Sequence, residues 1–399
     1  MRAAGSDTTA THAGVFAPAR AGALEPGSEE AGGAILGAVT KAIQELWIGQ
    51  KARRAGYTGA AEFMQVHGLK PYRCAQLYRA ATKELVDDVA SVTVLPVALR
   101  EALTSEGFAL ESIVPKVVQR SADGQTTKGL FTLHDGSEVE AVLMEHWGDR
   151  TTVCISSQAG CAFKCAFCST GQAGFTRNLE ATEIFDQARF FARELRKRNK
   201  KISNIVFMGM GEPFHNYDAV MDAVRLLNDP HGFGLGHRHI TISTVGLVPQ
   251  IDRFADEGVQ VNLAISLHAP TDEQRSKIMP VNQRYPIADL LAACARYVEK
   301  TSRKVFFEYI MLDGVNDDER SARAIAKLMR GHLYHVNLIP YNATPDSELK
   351  GTPELRIRSF QKVLEAEGVP ATVRVPMGRD IAAACGQLRA QTQPRAATA

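Results

Sequence analysis

The chain has 399 residues, 45% of them hydrophobic and 23% charged, with a formal net charge of +2. This is the balance of an ordinary globular protein, long enough for one large domain with a smaller attachment. No apolar run is long enough to cross a bilayer, which excludes a helical membrane protein and suggests the cytoplasm. The mild charge neither demands nor excludes nucleic acid, so any such affinity must come from local patches.

Residues 1–34 are rich in Ala, Gly, Thr and Pro without hydrophobic periodicity, which predicts a disordered leader. From 35 to 110, apolar residues recur at three- and four-residue spacing in AILGAVTKAIQELW and YRCAQLYRAATKELV, and GLKPYR supplies the turn before a helix. These residues are expected to form a helical accessory module, with Lys51, Arg53, Arg54, Lys70, Arg73 and Arg79 either contacting phosphates or forming a solvated basic face. Residues 111–152 form a linker and a hairpin: TKGLFTLHDGSEVEAVLME carries two alternating runs joined by Asp135-Gly136. Alternation puts Val139, Ala141 and Leu143 on one face and turns Glu140 the other way, toward solvent.

Residues 154–171, CISSQAGCAFKCAFCSTG, hold four of the seven cysteines. Cys161, Cys165 and Cys168 stand in a C-x3-C-x2-C arrangement, with Cys154 seven residues upstream. Three close thiolates can hold three irons of a cubane and leave the fourth without a protein ligand. The competing reading is a structural zinc site made by all four cysteines, although such sites usually pair two short hooks and only one side is hook-like here. A disulfide framework does not suit a long, cysteine-poor chain without a secretory signal.

Beyond the cysteines, strand-like runs (202–209, 239–244, 261–268, 304–312, 334–341, 371–375) alternate with helical ones (181–198, 217–228, 247–257, 286–300, 317–330, 354–367). Six strand–helix units predict an α/β fold, an open partial (β/α)6 barrel of TIM-like type over 153–389, with chemistry at the carboxyl ends of its strands. GMGEP at 209–213 presents Gly211 and Glu212 at such an end, and Ser243, Ser266, Leu267, His268 and Asn342 stand at others. Taken singly, each could equally be a cap or turn residue. The basic runs RELRKRNKK (193–201) and GHRHI (236–240) could contact phosphates or be solvated ends. Cys385 lies in GRDIAAACGQL, Cys74 and Cys294 read as buried small hydrophobes, and 390–399 reads as a disordered tail.

Together CISSQAGCAFKCAFCSTGQAGFTRNL, GMGEP, SLHAPTDEQRSKIMP, GVND, HVNLIPYN and GRDIAAACGQL resemble the radical S-adenosylmethionine (SAM) RNA adenine methyltransferases of the RlmN and Cfr group, from about residue 36 to 390. The resemblance implies a [4Fe-4S] cluster on Cys161, Cys165 and Cys168. It also implies SAM contacts from Gly211, Glu212, Ser243, Ser266, Leu267, His268 and Asn342. An adenine amidine carbon has no nucleophilic lone pair, so its methylation needs a radical route. In similar enzymes a C-terminal cysteine, here Cys385, is first methylated, and a 5'-deoxyadenosyl radical removes a hydrogen from its methyl group. The methylene radical adds to the ring, Glu140 takes the ring proton, and Cys154 releases the product through a transient disulfide with Cys385.

The implied partners are ribosomal RNA, transfer RNA and an electron donor such as flavodoxin or ferredoxin, serving a monomer. STGQAGFTRNL and Pro213 resemble the branch that methylates carbon 2, whereas TSRKV, EQRSKIMP and LYHVNLI resemble the carbon 8 branch, and VPM at 375–377 replaces a usually more polar stretch. The reading taken is carbon 2. Two other classes stay open: a zinc-containing RNA-binding protein, and a radical enzyme acting on a protein or small molecule, which would have no use for Cys385.

Overall fold

A computed structural model describes residues 29–344 and 347–389, with side chains from residue 37. The tail read over 390–399 and the leader up to residue 28 lie outside these residues. The first helix, α1 (Glu29–Arg54), already begins within the segment read as leader. With α2 (Ala60–Val66), α3 (Pro71–Thr82) and α4 (Val97–Ser105) it forms the accessory module. Trp47 and Tyr78 are fully buried there and meet edge to face at 5.8 Å.

The linker contributes three antiparallel strands, one more than the hairpin: β1 (Ile113–Arg120), β2 (Thr126–Leu133) and β3 (Glu138–Glu145). Next comes β4 (Thr151–Cys154), then a small ribbon of β5 (Gln158–Gly160) and β6 (Phe175–Asn178) that brackets the cysteine loop and the short α5 (Ser169–Ala173). The barrel continues through α6 (Ala181–Arg196), β7 (Asn204–Phe207), α7 (Tyr217–Asn228), β8 (Ile240–Thr244), α8 (Val248–Asp256) and β9 (Asn262–Ser266). It ends with α9 (Asp272–Ile278), α10 (Ile287–Thr301), β10 (Val305–Met311), α11 (Glu319–Met329), β11 (Tyr334–Pro340), α12 (Glu354–Ala366) and β12 (Ala371–Val373).

One ten-stranded sheet has the order β1-β2-β3-β4-β7-β8-β9-β10-β11-β12. Pairing is antiparallel up to β4 and parallel from β4 to β12. The barrel therefore has six strand–helix units and a seventh strand. The unit missed from the alternation is β4, whose four residues run straight into the cysteine motif. Residues such as Ile240, Ile242 and Thr244 are buried against helices, while the alternate Thr241 and Ser243 turn to the barrel interior. Cys74 and Cys294 are buried as expected.

The module is bound to the barrel by charge as well as by apolar packing. Lys51, only 1% exposed, places Nζ 2.6 Å from both Asp186 Oδ2 and Ser112 Oγ. Arg54 spans Glu180 and Glu183, and Arg189 and Arg193 both pair with Glu111. Among the described residues no helix is long and apolar enough to cross a membrane.

Candidate active site

The cysteine loop follows β4 at the carboxyl end of the parallel strands. Backbone bonds from Cys161 N to Gly174 O (2.7 Å), just before β6, and from Ala166 N to Ile278 O (2.9 Å) of α9 tie the loop down, and Cys168 N to Cys165 O (3.1 Å) closes a turn within it. Cys161 and Cys165 are buried and Cys168 is half-buried. Burial pushes the Cys161 thiol up to about 12 and Cys165 well above its usual range, and negative charge on neighbouring members of the trio raises both further. Three thiolates set this close would repel one another, so the trio suits a ligand that brings positive charge and binds each sulfur on a different metal atom, as a cubane does.

Cys154 does not join this trio. Its sulfur accepts the Met208 backbone N–H and lies in the fields of Cys385 and Arg374. Among the described residues no three His, Cys, Asp or Glu side chains converge on one metal ion. The same holds of Cys161, Cys165 and Cys168 taken alone, so what separates the trio from a four-cysteine site is the place of Cys154, beside Cys385 and Arg374.

Around the loop stand the strand-end residues. Gly211 has φ +103°, and a Cβ there would lie 2.6 Å from Gln158 Cβ and 2.7 Å from Gln158 N. Glycine is thus required by the close approach of β5, not only by a ligand as the motif suggested. Glu212, 2% exposed, accepts Phe214 N at Oε1 (2.9 Å) and Val245 N at Oε2 (2.8 Å). Burial lifts its carboxyl to about 7 against these hydrogen bonds and one from Thr244.

Ser243 and Ser266 are half-buried on the interior face, whereas Leu267 is fully buried. His268 has φ +59°, accepts Ile310 N at Nδ1 (3.0 Å) and meets the Phe167 ring at 4.7 Å. Burial and then Arg275 lower its pKa to about 3, so the ring is neutral with its proton on Nε2. Arg275, fully buried, holds this segment by donating to the carbonyls of Leu267, Ser266, Val245 and Tyr285 and to Asn282 Oδ1. Asn342 differs from a free cofactor contact: Nδ2 donates to Cys385 O (3.3 Å) and Oδ1 accepts from Arg379 Nε (2.7 Å).

Those bonds belong to a C-terminal strap, 378–389, that closes over the barrel mouth. Ser169 N donates to Gly386 O (2.8 Å), Thr170 Oγ1 to Leu388 O (2.6 Å) and Ala122 N to Asp380 Oδ2 (2.8 Å). Cys385 is exposed within the mouth, whose walls still raise its thiol, with Arg374 opposing them. All seven cysteines, Cys154 and Cys385 included, are free thiols.

Glu140 overturns the solvent-facing reading, being 1% exposed. The register Val142↔Cys154 puts Glu140 on the face of Cys154, and the strap returns from the far end of the chain to cover that face. Its Oε1 pairs with Lys128 Nζ at 3.0 Å and its Oε2 accepts Arg389 N at 2.8 Å. Sequence reasoning missed Lys128, Arg374, Glu308 and Arg275. Of these only Glu308 left a signal, an acid inside the aromatic run VFFEYIM.

The basic segments fare differently from expectation. Lys51 is buried, Arg54 is ion-paired and Arg73 caps Val94 O, leaving Arg53, Lys70 and Arg79 exposed, the last paired at the surface with Glu84. In the 193–201 run, Arg193 pairs with Asp87 and Glu111, Arg196 caps Lys83 and Glu84, and Arg198 and Lys200 pair with Glu145. Arg238 of GHRHI bonds Gln260. Both runs precede strands, β7 and β8, and so lie at the amino ends, opposite the cysteine loop.

The Radical SAM superfamily profile matches residues 155–324. A probable dual-specificity RNA methyltransferase RlmN of Chloroflexus aurantiacus is 49% identical over 338 residues, covering 82% of this chain and 89% of its own. The protein of the same description from Geobacillus kaustophilus is 46% identical, covering 83% and 90%. The crystal structure of a radical SAM methyltransferase from Sphaerobacter thermophilus superimposes with a TM-score of 0.80 at 49% identity, covering 83% of this chain and 97% of that one. With a thiol trio, a facing pair of free cysteines and relatives of this identity over most of its length, the chain belongs to the RlmN family of radical SAM RNA methyltransferases.

Proposed function

We propose that the protein methylates carbon 2 of an adenine in 23S ribosomal RNA, and of an adenine next to the anticodon in transfer RNA, using Cys385 as methyl carrier. One observation carries the reading: the thiol trio with Cys154, and Cys385 from the other end of the chain, meet at one end of the barrel, with Glu140 on the same sheet face. Cys161, Cys165 and Cys168 would hold a [4Fe-4S] cluster. Gly211, Glu212, Ser243, Ser266, Leu267, His268 and Asn342 would hold SAM. When bound, these groups supply the one-electron chemistry that a C–H bond without a lone pair requires.

The chain's own residues do the rest. Glu212, a buried acid near its titration point, is suited to pair with an ammonium group, and neutral His268 offers an Nε2–H donor. Asn342 reaches a ligand by exchanging Arg379 or the Cys385 carbonyl. Cys385 sulfur carries the carbon. Glu140, held by Lys128, takes the ring proton once Arg389 N lets go. Cys154 then bonds to Cys385 sulfur as the carbon–sulfur bond breaks; the electron pair leaves with the carbon, which takes a proton, and the two sulfurs are oxidised to a disulfide.

The relatives' description as dual-specificity RNA methyltransferases supports two RNA classes, and STGQAGFTRNL with Pro213 supports carbon 2 over carbon 8. A flavodoxin or ferredoxin would serve as reductant to a monomer acting where ribosomal RNA is found. The test is anaerobic reconstitution with iron and sulfide, incubation with a ribosomal RNA fragment and with transfer RNA, and mass spectrometry of the nucleosides. We expect 2-methyladenosine from both. Exclusive 8-methyladenosine would replace the carbon assignment, and zinc in place of iron in air-excluded protein would overturn the whole reading.

A further inference from the structure

Strands β9 and β10 pair in parallel as far as Ser266↔Glu308. Beyond that point β9 leaves the sheet. Leu267 N (3.1 Å) and His268 N (3.3 Å) both donate to Glu308 O, and His268 turns into the left-handed region at φ +59°, which a residue with a Cβ keeps only when its surroundings hold it there. Strand β10 runs on to Met311, so Ile310 O and Leu312 N face a place where β9 no longer supplies partners. The side-chain amide of Asn316, from the GVND turn at 314–317, fills that place. Its Nδ2 donates to Ile310 O at 2.7 Å and to His268 O at 2.8 Å, and its Oδ1 accepts Leu312 N at 2.8 Å. Asn316 is 1% exposed, and Tyr309 OH donates to its backbone carbonyl at 2.8 Å.

We propose that Asn316 is a positioning residue for SAM binding: its amide holds His268 in the left-handed conformation from which the imidazole accepts Ile310 N at Nδ1 (3.0 Å) and meets the Phe167 ring of the cysteine loop at 4.7 Å. The inference rests on the reading of His268 as a SAM contact.

Three successive carbonyls at the end of β9 are each held by a side chain. Arg275 takes Ser266 O at 3.0 Å and Leu267 O at 3.1 Å, and His268 O falls to Asn316. Without the amide, His268 O, Ile310 O and Leu312 N would be buried polar groups with that partner gone, and the chain would relax to satisfy them. A relaxed His268 leaves the left-handed region, and its ring then departs from Ile310 N and from Phe167 together. Because Ile310 N occupies Nδ1, the ring can donate only from Nε2, so a ligand is recognised in one orientation of the imidazole. The bond that sets that orientation spans 48 positions of sequence, from a turn that carries no strand-end residue of its own.

The experiment measures SAM affinity of the full-length, cluster-loaded protein by equilibrium dialysis without oxygen or reductant, in a Cys385→Ala parent so that no methyl group moves during the measurement. Asn316→Ala and His268→Ala should each weaken binding about tenfold, the loss expected for one hydrogen-bonding contact. The double variant should bind within about twofold of His268→Ala alone, because Asn316 acts through that ring. Tyr309→Phe tests for a merely structural role: it removes the bond to Asn316 O and lowers the urea midpoint, and its affinity should stay within about twofold of the parent. Parental affinity in Asn316→Ala beside a weakened His268→Ala, losses that multiply in the double variant, or a Tyr309→Phe loss as large as that of Asn316→Ala would overturn the positioning role and leave the SAM reading standing. Parental affinity in His268→Ala would remove the SAM contact itself, and the inference with it. Should Asn316→Ala lose its helical circular dichroism, Asn316→Asp takes its place with the same expectations, since it keeps the acceptor for Leu312 N and sets an oxygen against His268 O.

Discussion

Replacing Gly378 by alanine should release the strap without unfolding the barrel. Gly378 has φ +66°, and a Cβ there would lie 2.6 Å from Thr126 Cγ2 and 2.9 Å from Ala383 Cβ. A left-handed alanine costs about 1–2 kcal/mol, and forcing a methyl into filled space costs about 1–3 kcal/mol more. The closed strap should therefore lose about 2–5 kcal/mol, at least about a thirtyfold drop in its population, since 1.4 kcal/mol is tenfold. The contacts at stake are those from Ser169, Thr170 and Asn342 to the strap, and from Arg389 N to Glu140. Hydrogen exchange read by mass spectrometry should show residues 380–389 losing protection while β7–β11 keep theirs. The yield of methylated adenine should fall with it, because Cys385 is no longer held in the mouth. A Gly378→Ala protein with unaltered protection over 380–389 and full methylation would refute the assignment of the strap as the element that places Cys385.

Lys51→Met should cost about 3–5 kcal/mol in urea unfolding, because it strands Asp186 in a dry interface, and Lys51→Met with Asp186→Asn should recover much of that; equal losses in both would show that water compensates the charge. Glu212 has its carboxyl raised to about 7 from 4.5, so the stability it contributes is full below the lower value and lost as pH rises through the higher. The apoprotein should weaken by roughly 3 kcal/mol between pH 4 and 8, and Glu212→Gln should flatten that slope; a slope unchanged by the substitution would exclude Glu212 as its source. Cys154→Ala should accumulate protein covalently joined to RNA, detectable as a shifted band on a denaturing gel, and Cys385→Ala should form none. Free turnover by Cys154→Ala would remove the release step.

Local pattern carried most of the architecture. The apolar period of YDAVMDAVRLLN marks α7 over its observed bounds, and Asp135-Gly136 marks the turn between β2 and β3. What local pattern could not carry is contact across long separations. Glu140 alternates as a solvent residue should, and is buried because residue 389 returns across 249 positions to bond it. Lys51 sits in a basic stretch, yet its counter-ion is 135 positions away on α6. Cys154 parts from the trio on a similar separation: it is seven residues from Cys161 in sequence but ends a strand whose neighbour in space is Cys385.

The two thiols also differ in how they are held, and the difference matches the tasks proposed for them. Cys154 is the last residue of β4, paired with Val142 of β3 on one side and Val206 of β7 on the other, so moving it means breaking the sheet. Cys385 stands in no regular element; Asn342 holds its carbonyl at 3.3 Å and Ser169 holds the next one at 2.8 Å. A sulfur that must approach a cofactor, then a nucleobase, then another sulfur needs a tether that exchanges a few hydrogen bonds at about 1 kcal/mol each. The sulfur that waits for it needs none of that freedom. A fixed thiol on the wall and a carrier thiol on a strap divide the work in the way the geometry allows, and exchanging the two positions would leave a carrier unable to travel.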